Sequence, residues 1–223
     1  GERISSVLPT PTPNAEPRAT PEAAVASELT PAPSSPPVSA AGAGTILYEA
    51  DTSGGLAEWS RTGGWQTASG MLVNDGSSDT PVFLAAPYQV GTADYAVEVE
   101  MQWVREGFNF GIVVRGGDDG GYWIGGRWCG GKMRLEGWAG PANGACSPDN
   151  AIVDDGQLFT IDTEWHTYRI EVQGNAFCVL IDGATVFETT DNRYLTSGVV
   201  GLWSTGAQVN VRRFTVIALG SEG

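Results

Sequence analysis

The chain has 223 residues, a net charge of −14 and a pI near 4.3. That charge sets aside nucleic acid and anionic membranes as partners, and no apolar run is long enough to insert into a bilayer. Thirty-one glycines and eight tryptophans among many short apolar runs point to an all-β protein.

Residues 1–44 hold nine of the thirteen prolines and are otherwise rich in Ala, Ser and Thr. Proline fixes φ and removes a donor, so this stretch reads as an extended arm or linker. Its reach is on the order of 100 Å, and its Ser and Thr are candidates for O-glycans. Two apolar patches interrupt it, with Ile4, Val7 and Leu8 in one and Val25 and Leu29 in the other. Either patch could add as a strand to a neighbouring copy, so the arm reads as an assembly device for a homo-oligomer or filament. Gly1-Glu2-Arg3 opens directly into polar sequence. That suits a mature product or a segment beyond a membrane anchor.

Residues 45–223 form the second unit. Thr45 to Tyr48, Gly64 to Thr67, Gly70 to Val73 and Val82 to Leu84 read as short strands. Tyr95 to Val104 alternates cleanly, with Val97, Val99 and Met101 on one face and Glu98, Glu100 and Gln102 on the other. Phe108 to Arg115 continues antiparallel to it, with Asn109 and Arg115 on the polar side. Tyr122 to Gly126 and Lys132 to Trp138 form the next pair. Residues 139–164 are loop-rich. Trp165 to Thr190 is the clearest stretch: an alternating strand, a Gln173-Gly174-Asn175 break, an apolar strand read as buried on both faces, an Asp182-Gly183 turn and a returning strand. Gly198 to Ser204 and Val209 to Leu219 close the domain. About twelve strands suit two sheets packed face to face.

Three cysteines occur. A Cys129–Cys146 bridge would close a loop of 16 intervening residues and stabilise by about 3 kcal/mol; the alternative is two unrelated thiols. Such a bridge implies an extracellular or cell-surface setting. Cys178 reads as a buried free thiol.

The run Trp165 to Val172, then Gly174-Asn175 and Val179 to Gly183, resembles the concanavalin A-like lectin/glucanase sandwiches, and within them the bacterial 3-keto-disaccharide hydrolase domains. Asp51…Gly54-Gly55-Leu56…Trp59 and Gly201-Leu202-Trp203 fit the same pattern. The resemblance covers roughly residues 45–220. It implies a two-sheet antiparallel jelly-roll sandwich, with sugar-binding or sugar-cleaving relatives and others that serve as adhesion or sensory ectodomains. It also places Trp59, Trp65, Trp165 and Trp203 in the core.

Glucanase relatives carry E-x-D-x-x-E on one strand, and Glu98 and Glu100 are the nearest carboxylates here. The central Asp is absent and Gln102 or Trp103 stands where the last acid would be, so the chain is expected to be non-catalytic. His166, the lone histidine, reads as structural. Asp118-Asp119-Gly120 and Asp154-Asp155-Gly156 offer oxygen ligands for Ca2+ without the spacing of a dedicated loop; no cofactor or metal is expected. Trp123, Trp128 and Trp138, with Arg115 and Arg127, could meet a sugar ring or another subunit; the alternative is that these tryptophans pack in the core. The leading expectation is a structural subunit that self-assembles through its arm. The alternative is a carbohydrate-binding or sensory ectodomain on a stalk, and a glycoside hydrolase comes third.

Overall fold

A computed structural model describes residues 44–105, 107, 109–129, 132–140, 150–153, 161–196 and 198–220. The arm residues Ile4, Val7, Leu8, Val25 and Leu29 fall outside this part, as do Cys146 and the Asp154-Asp155 pair. Fourteen strands occur among the described residues. The first five are β1 (Ile46–Glu49), β2 (Ser60–Arg61), β3 (Trp65–Ala68), β4 (Met71–Asp75) and β5 (Val82–Gln89). Then come β6 (Tyr95–Arg105), β7 (Asn109–Gly117), β8 (Gly120–Cys129) and β9 (Lys132–Gly140). The last five are β10 (Trp165–Gln173), β11 (Ala176–Ile181), β12 (Ala184–Thr190), β13 (Val199–Thr205) and β14 (Gln208–Ala218).

The strands form two antiparallel sheets. Sheet A runs β12-β11-β10-β6-β14-β4-β3, with β1 also paired to β14; sheet B runs β2-β5-β13-β7-β8-β9. The alternating apolar residues of both sheets face inward. Val97, Val99, Met101, Tyr168, Ile170 and Val172 of sheet A and Phe110, Ile112, Ile124, Leu84 and Leu202 of sheet B belong to one buried core. In β14 a register shift after Val211 changes the phase. Arg212 and Arg213 both face solvent there, and Phe214 and Val216 return to the core. A bulge of this kind keeps a long strand apolar on one side despite two consecutive charges.

The sequence expectation that residues 108–115 pair with residues 95–104 is corrected. β6 lies in sheet A and β7 in sheet B. Both present an apolar face, and those faces meet across the sandwich instead of lying side by side. The β10-β11-β12 meander is present, but at one side of sheet A, where β12 is the edge strand. The middle of the sheet is β6 against β14. β11 alternates, with Phe177, Val179 and Ile181 buried. Cys178 is therefore half-buried rather than enclosed, and its thiol pKa is pushed up by desolvation. Asp182 and Gly183 both take left-handed φ (51° and 79°), which a two-residue hairpin turn requires.

The start and the finish of the domain lie together. Gly44 N–H donates to the Ala218 carbonyl, and Ala218 N–H donates to that of Thr45, both at 2.8 Å.

Candidate functional site

The outer face of sheet B differs from the rest of the surface. Leu84, Leu202, Ile112 and Ile124 share one inward row. The rows on either side of it must face outward, because side chains alternate along each strand. One outward row is Phe83–Trp203–Gly111–Gly125–Glu136, and the next is Gly201–Val113–Trp123–Trp138. A further outward row is Thr205–Asn109–Arg127–Arg134.

The glycines in these rows make room for the aromatic rings. A Cβ on Gly111 would stand 2.8 Å from Trp203 Nε1 and 2.3 Å from the Ile124 carbonyl oxygen. The rings then pack edge to face, as their quadrupoles favour. Ring centroids are 5.0 Å apart for Trp138–Trp203, 4.8 Å for Phe83–Trp123 and 6.3 Å for Trp123–Trp203. The Arg127 guanidinium lies 4.8 Å from the Trp138 ring centre, and its Nη1 lies 3.5 Å from Glu136 Oε2. Beside this cluster is a 140 Å³ pocket walled by Phe83, Val113, Trp123, Gly116, Gly117 and Gly201.

Trp203, Trp138 and Trp123 are only 2%, 4% and 7% exposed. Trp123 Nε1 donates to the Gly140 carbonyl at 2.8 Å. By contrast Trp138 Nε1, Trp203 Nε1, Arg134 Nε and Thr205 Oγ1 are buried with no hydrogen-bond partner among the described residues. Leaving a buried donor unmade costs about 1–3 kcal/mol each. Four such atoms on one sheet face mark a surface whose polar groups are not satisfied from within.

Trp123, Trp138 and Arg127 therefore sit together on this face. Trp128 belongs to β8 and pairs with Met133. Arg115 is elsewhere. Simple alternation puts it beside Asn109, but it has φ 52° at a register shift in β7, and a bulge re-aims a side chain. Its guanidinium donates to the carbonyls of Tyr194, Ala93 and Gly174 and lies 5.7 Å from the Phe177 ring centre. It clasps the end of the sandwich. Trp59 and Trp65 are buried in the main core. Trp165 is half-buried beneath Arg212, whose guanidinium carbon lies 4.5 Å from its ring centre. Trp203, expected from the sequence in the core, is buried, but in a second cluster on the outward side of sheet B. The signal was present in the alternation itself, since Leu202 and Trp203 cannot share a face.

The outer face of sheet A is polar; its Glu98, Glu100 and Glu171 carboxylates are paired with arginines, and Thr215 Oγ1, level with Glu98, is a buried atom of this face without a partner among the described residues. Arg169 bridges Glu98 at 3.1 Å and Glu171 at 2.8 Å. Glu100 is paired with Arg212, whose hydrogen bond holds the Glu100 carboxyl below its ordinary range. Both carboxylates are thus engaged by arginines, and both lie on the sheet opposite the tryptophan cluster.

His166 stands between two carboxylates, with Nδ1 2.7 Å from Asp182 Oδ2 and Nε2 3.0 Å from Asp162 Oδ1. Burial lowers its pKa, but the bonds to Asp182 and Asp162 outweigh that and leave it raised. The group pins the start of β10 to the β11–β12 turn. Tyr122 makes a second clasp that the sequence does not reveal: its hydroxyl donates to Asp191 Oδ1 at 2.8 Å and accepts from Tyr194 N–H at 3.0 Å. Desolvation first, then Asp191, pushes its pKa up to about 12. Asp118 and Asp119 are exposed next to β8. Among the described residues no group of three or more His, Cys, Asp or Glu is placed to hold a metal ion.

This architecture is that of the concanavalin A-like lectin and carbohydrate-binding β-sandwiches. The chain belongs to the 3-keto-alpha-glucoside-1,2-lyase-like domain family, matched over residues 50–217. Among solved structures it is similar to the carbohydrate-binding module CBM66 from Bacillus subtilis, with TM-score 0.58 and 15% identity, covering 73% of this chain and 97% of that one. It is also similar to the exoplasmic/lumenal domain of VIP36 in its Ca2+/Man3GlcNAc-bound form, with TM-score 0.61 and 9% identity over 74% and 86% of the two chains. A beta-1,3-glucanase from Mycobacterium marinum matches with TM-score 0.55 and 14% identity over 78% and 99%. At these identities the likeness is one of fold. No curated protein matches the sequence.

Proposed function

We propose that this chain is a non-catalytic carbohydrate-binding domain working in a secreted or lumenal setting, and that the sugar docks on the outer face of sheet B. The observation that carries the reading is the concentration there of unpartnered buried polar atoms on Trp138, Trp203, Arg134 and Thr205. A sugar hydroxyl can accept from the N–H groups of the half-buried Arg134 guanidinium, and the apolar face of a sugar ring suits the pocket walled by Phe83 and Trp123. The neighbouring folds support it too, since CBM66 and VIP36 are by their names a carbohydrate-binding module and a mannoside-bound domain.

The glycoside-cleaving reading is less well supported. A retaining enzyme needs two carboxyls about 5–5.5 Å apart. The outward rows of sheet B supply one, Glu136, while Glu98 and Glu100 are paired with arginines on the other sheet. The family's name keeps lyase chemistry as the competing outcome of the test. Self-assembly through the arm rests on residues 1–43, outside the described part, and no described contact adds to it.

The test is titration calorimetry against a panel of oligosaccharides, with product analysis on the same samples. Phe83→Ala is expected to weaken binding at least about tenfold, or 1.4 kcal/mol, while Arg169→Ala on sheet A binds as the parent does. Binding unaffected by Phe83→Ala, or turnover of the bound sugar, would overturn the reading.

A further inference from the structure

The chain as a whole is strongly acidic, with a net charge of −14, yet the candidate sugar face carries the opposite sign. Its outward rows contain two guanidinium groups, Arg127 and Arg134, against one carboxylate, Glu136. Arg127 is 4% exposed, and its described partners are Glu136 at a long 3.5 Å and the Trp138 ring. Arg134 makes no hydrogen bond or ion pair among the described residues, and its Nε is buried. A buried or half-buried guanidinium without a full set of acceptors is costly, because its hydration has been removed and not replaced. The fork of N–H donors on Arg matches a planar or tetrahedral oxyanion in two-point contact.

We infer that the outer face of sheet B selects a negatively charged oligosaccharide, one bearing a uronic acid or a sulfated residue, whose oxyanion is taken by Arg134 and Arg127 while another ring of the same chain sits against Trp123 and Phe83. This deepens the carbohydrate-binding reading above and rests on it. The geometry divides the labour along the face. The Phe83, Val113 and Trp123 end is apolar and walled by glycine. The Arg127 and Arg134 end lies two rows away on the same strands, past Gly125 and Glu136. Successive outward rows on one sheet are about 7 Å apart, so the two ends stand about 14 Å apart along the strands, a distance that takes an oligosaccharide of several rings to span. The acidic remainder of the molecule repels the same ligand, so selection comes from this face and weakens as salt screens it.

The probes are an oligogalacturonate, a sulfated glycosaminoglycan oligosaccharide and a neutral β-glucan oligosaccharide of equal length, titrated into the full chain at low and high salt. The expected result is at least tenfold tighter binding of one anionic probe than of the neutral one, with the advantage shrinking at high salt. Whichever anionic probe binds identifies the oxyanion as carboxylate or sulfate. Arg134→Gln is expected to remove the advantage, weakening anionic binding at least tenfold more than neutral binding. Glu136→Gln, which takes away the only carboxylate of these rows, is expected to tighten anionic binding several-fold and so provides a gain that misfolding cannot mimic. Equal affinity for charged and neutral probes would overturn the charge selection and leave the carbohydrate reading standing. Binding of no probe at all would overturn both.

Discussion

Arg169, on the outer face of sheet A, lies between Glu98 and Glu171, and Arg212 meets Glu100. On the outer face of sheet B, Arg134 has no partner among the described residues, and the indole N–H groups of Trp138 and Trp203 on the same face also lack one. The two surfaces come from strands of similar length and share one core. What separates them is how far each satisfies itself. A face whose charges are answered by its own neighbours is complete in water. A face with closely packed rings and unanswered donors has traded some stability for the capacity to hold something else.

That contrast can be broken most forcefully at Trp203. Trp203→Ala deletes a ring wedged between two others and should cost about 3–5 kcal/mol in urea denaturation. A much smaller loss would mean the cluster is loosely held and the two faces are more alike than argued. Gly125→Ala should cost roughly 1–3 kcal/mol or more, because its Cβ would come 2.1 Å from the Phe110 carbonyl oxygen; the same melt measures it. Thr205→Val runs the other way. Replacing a buried hydroxyl that lacks a partner should raise stability by about 1 kcal/mol while weakening sugar binding, and a loss of stability would show the hydroxyl to be satisfied.

A smaller effect is expected from pH. The raised pKa of His166 means its ion pairs contribute in full below the unfolded value of 6.5. That contribution fades as pH rises through the higher folded value. Asp162, held down first by the Glu164 N–H and then by His166, and Asp182, lowered overall despite its burial, act in the opposite sense. Their share is present above about 3.8 and is lost as pH falls through the lowered folded values. Urea midpoints measured across pH should therefore decline on the alkaline side for the parent chain, with His166→Gln flattening that decline. The smallest change belongs to sheet A: Arg212→Ala should leave the urea midpoint close to that of the parent, since an exposed ion pair stabilises little, and a clear loss would erase the distinction between the faces.

Much of the fold was legible because alternation is a local property. Val97, Val99 and Met101 declare their face wherever the strand goes, and Asp182-Gly183 declares its turn. Alternation does not say which sheet a strand joins. β6 and β7 therefore read as partners, although they oppose each other across the core. Of the proposed site, the sequence shows only that Trp123, Trp138 and Arg127 are concentrated among glycines, without saying whether they meet a ligand or pack inside. Arg115 was misplaced because a positive φ at a non-glycine residue leaves no mark in the sequence. Trp203 is buried as expected, but in the second cluster with Trp123 and Trp138, because its phase is opposite to that of Leu202. Phe83 and Arg134 were missed because membership of the face depends on strand order, which only the pairing of β5, β13, β7, β8 and β9 reveals.

The pairing of Gly44 and Thr45 with Ala218 has a mechanical corollary. Tension applied between these two points would load the β1–β14 ladder one bond at a time, like a zipper, rather than shearing all its bonds together. The domain is thus suspended from a single corner and yields early when pulled there. In that loading geometry it is suited to hang beside a load-bearing chain rather than to carry the load in series.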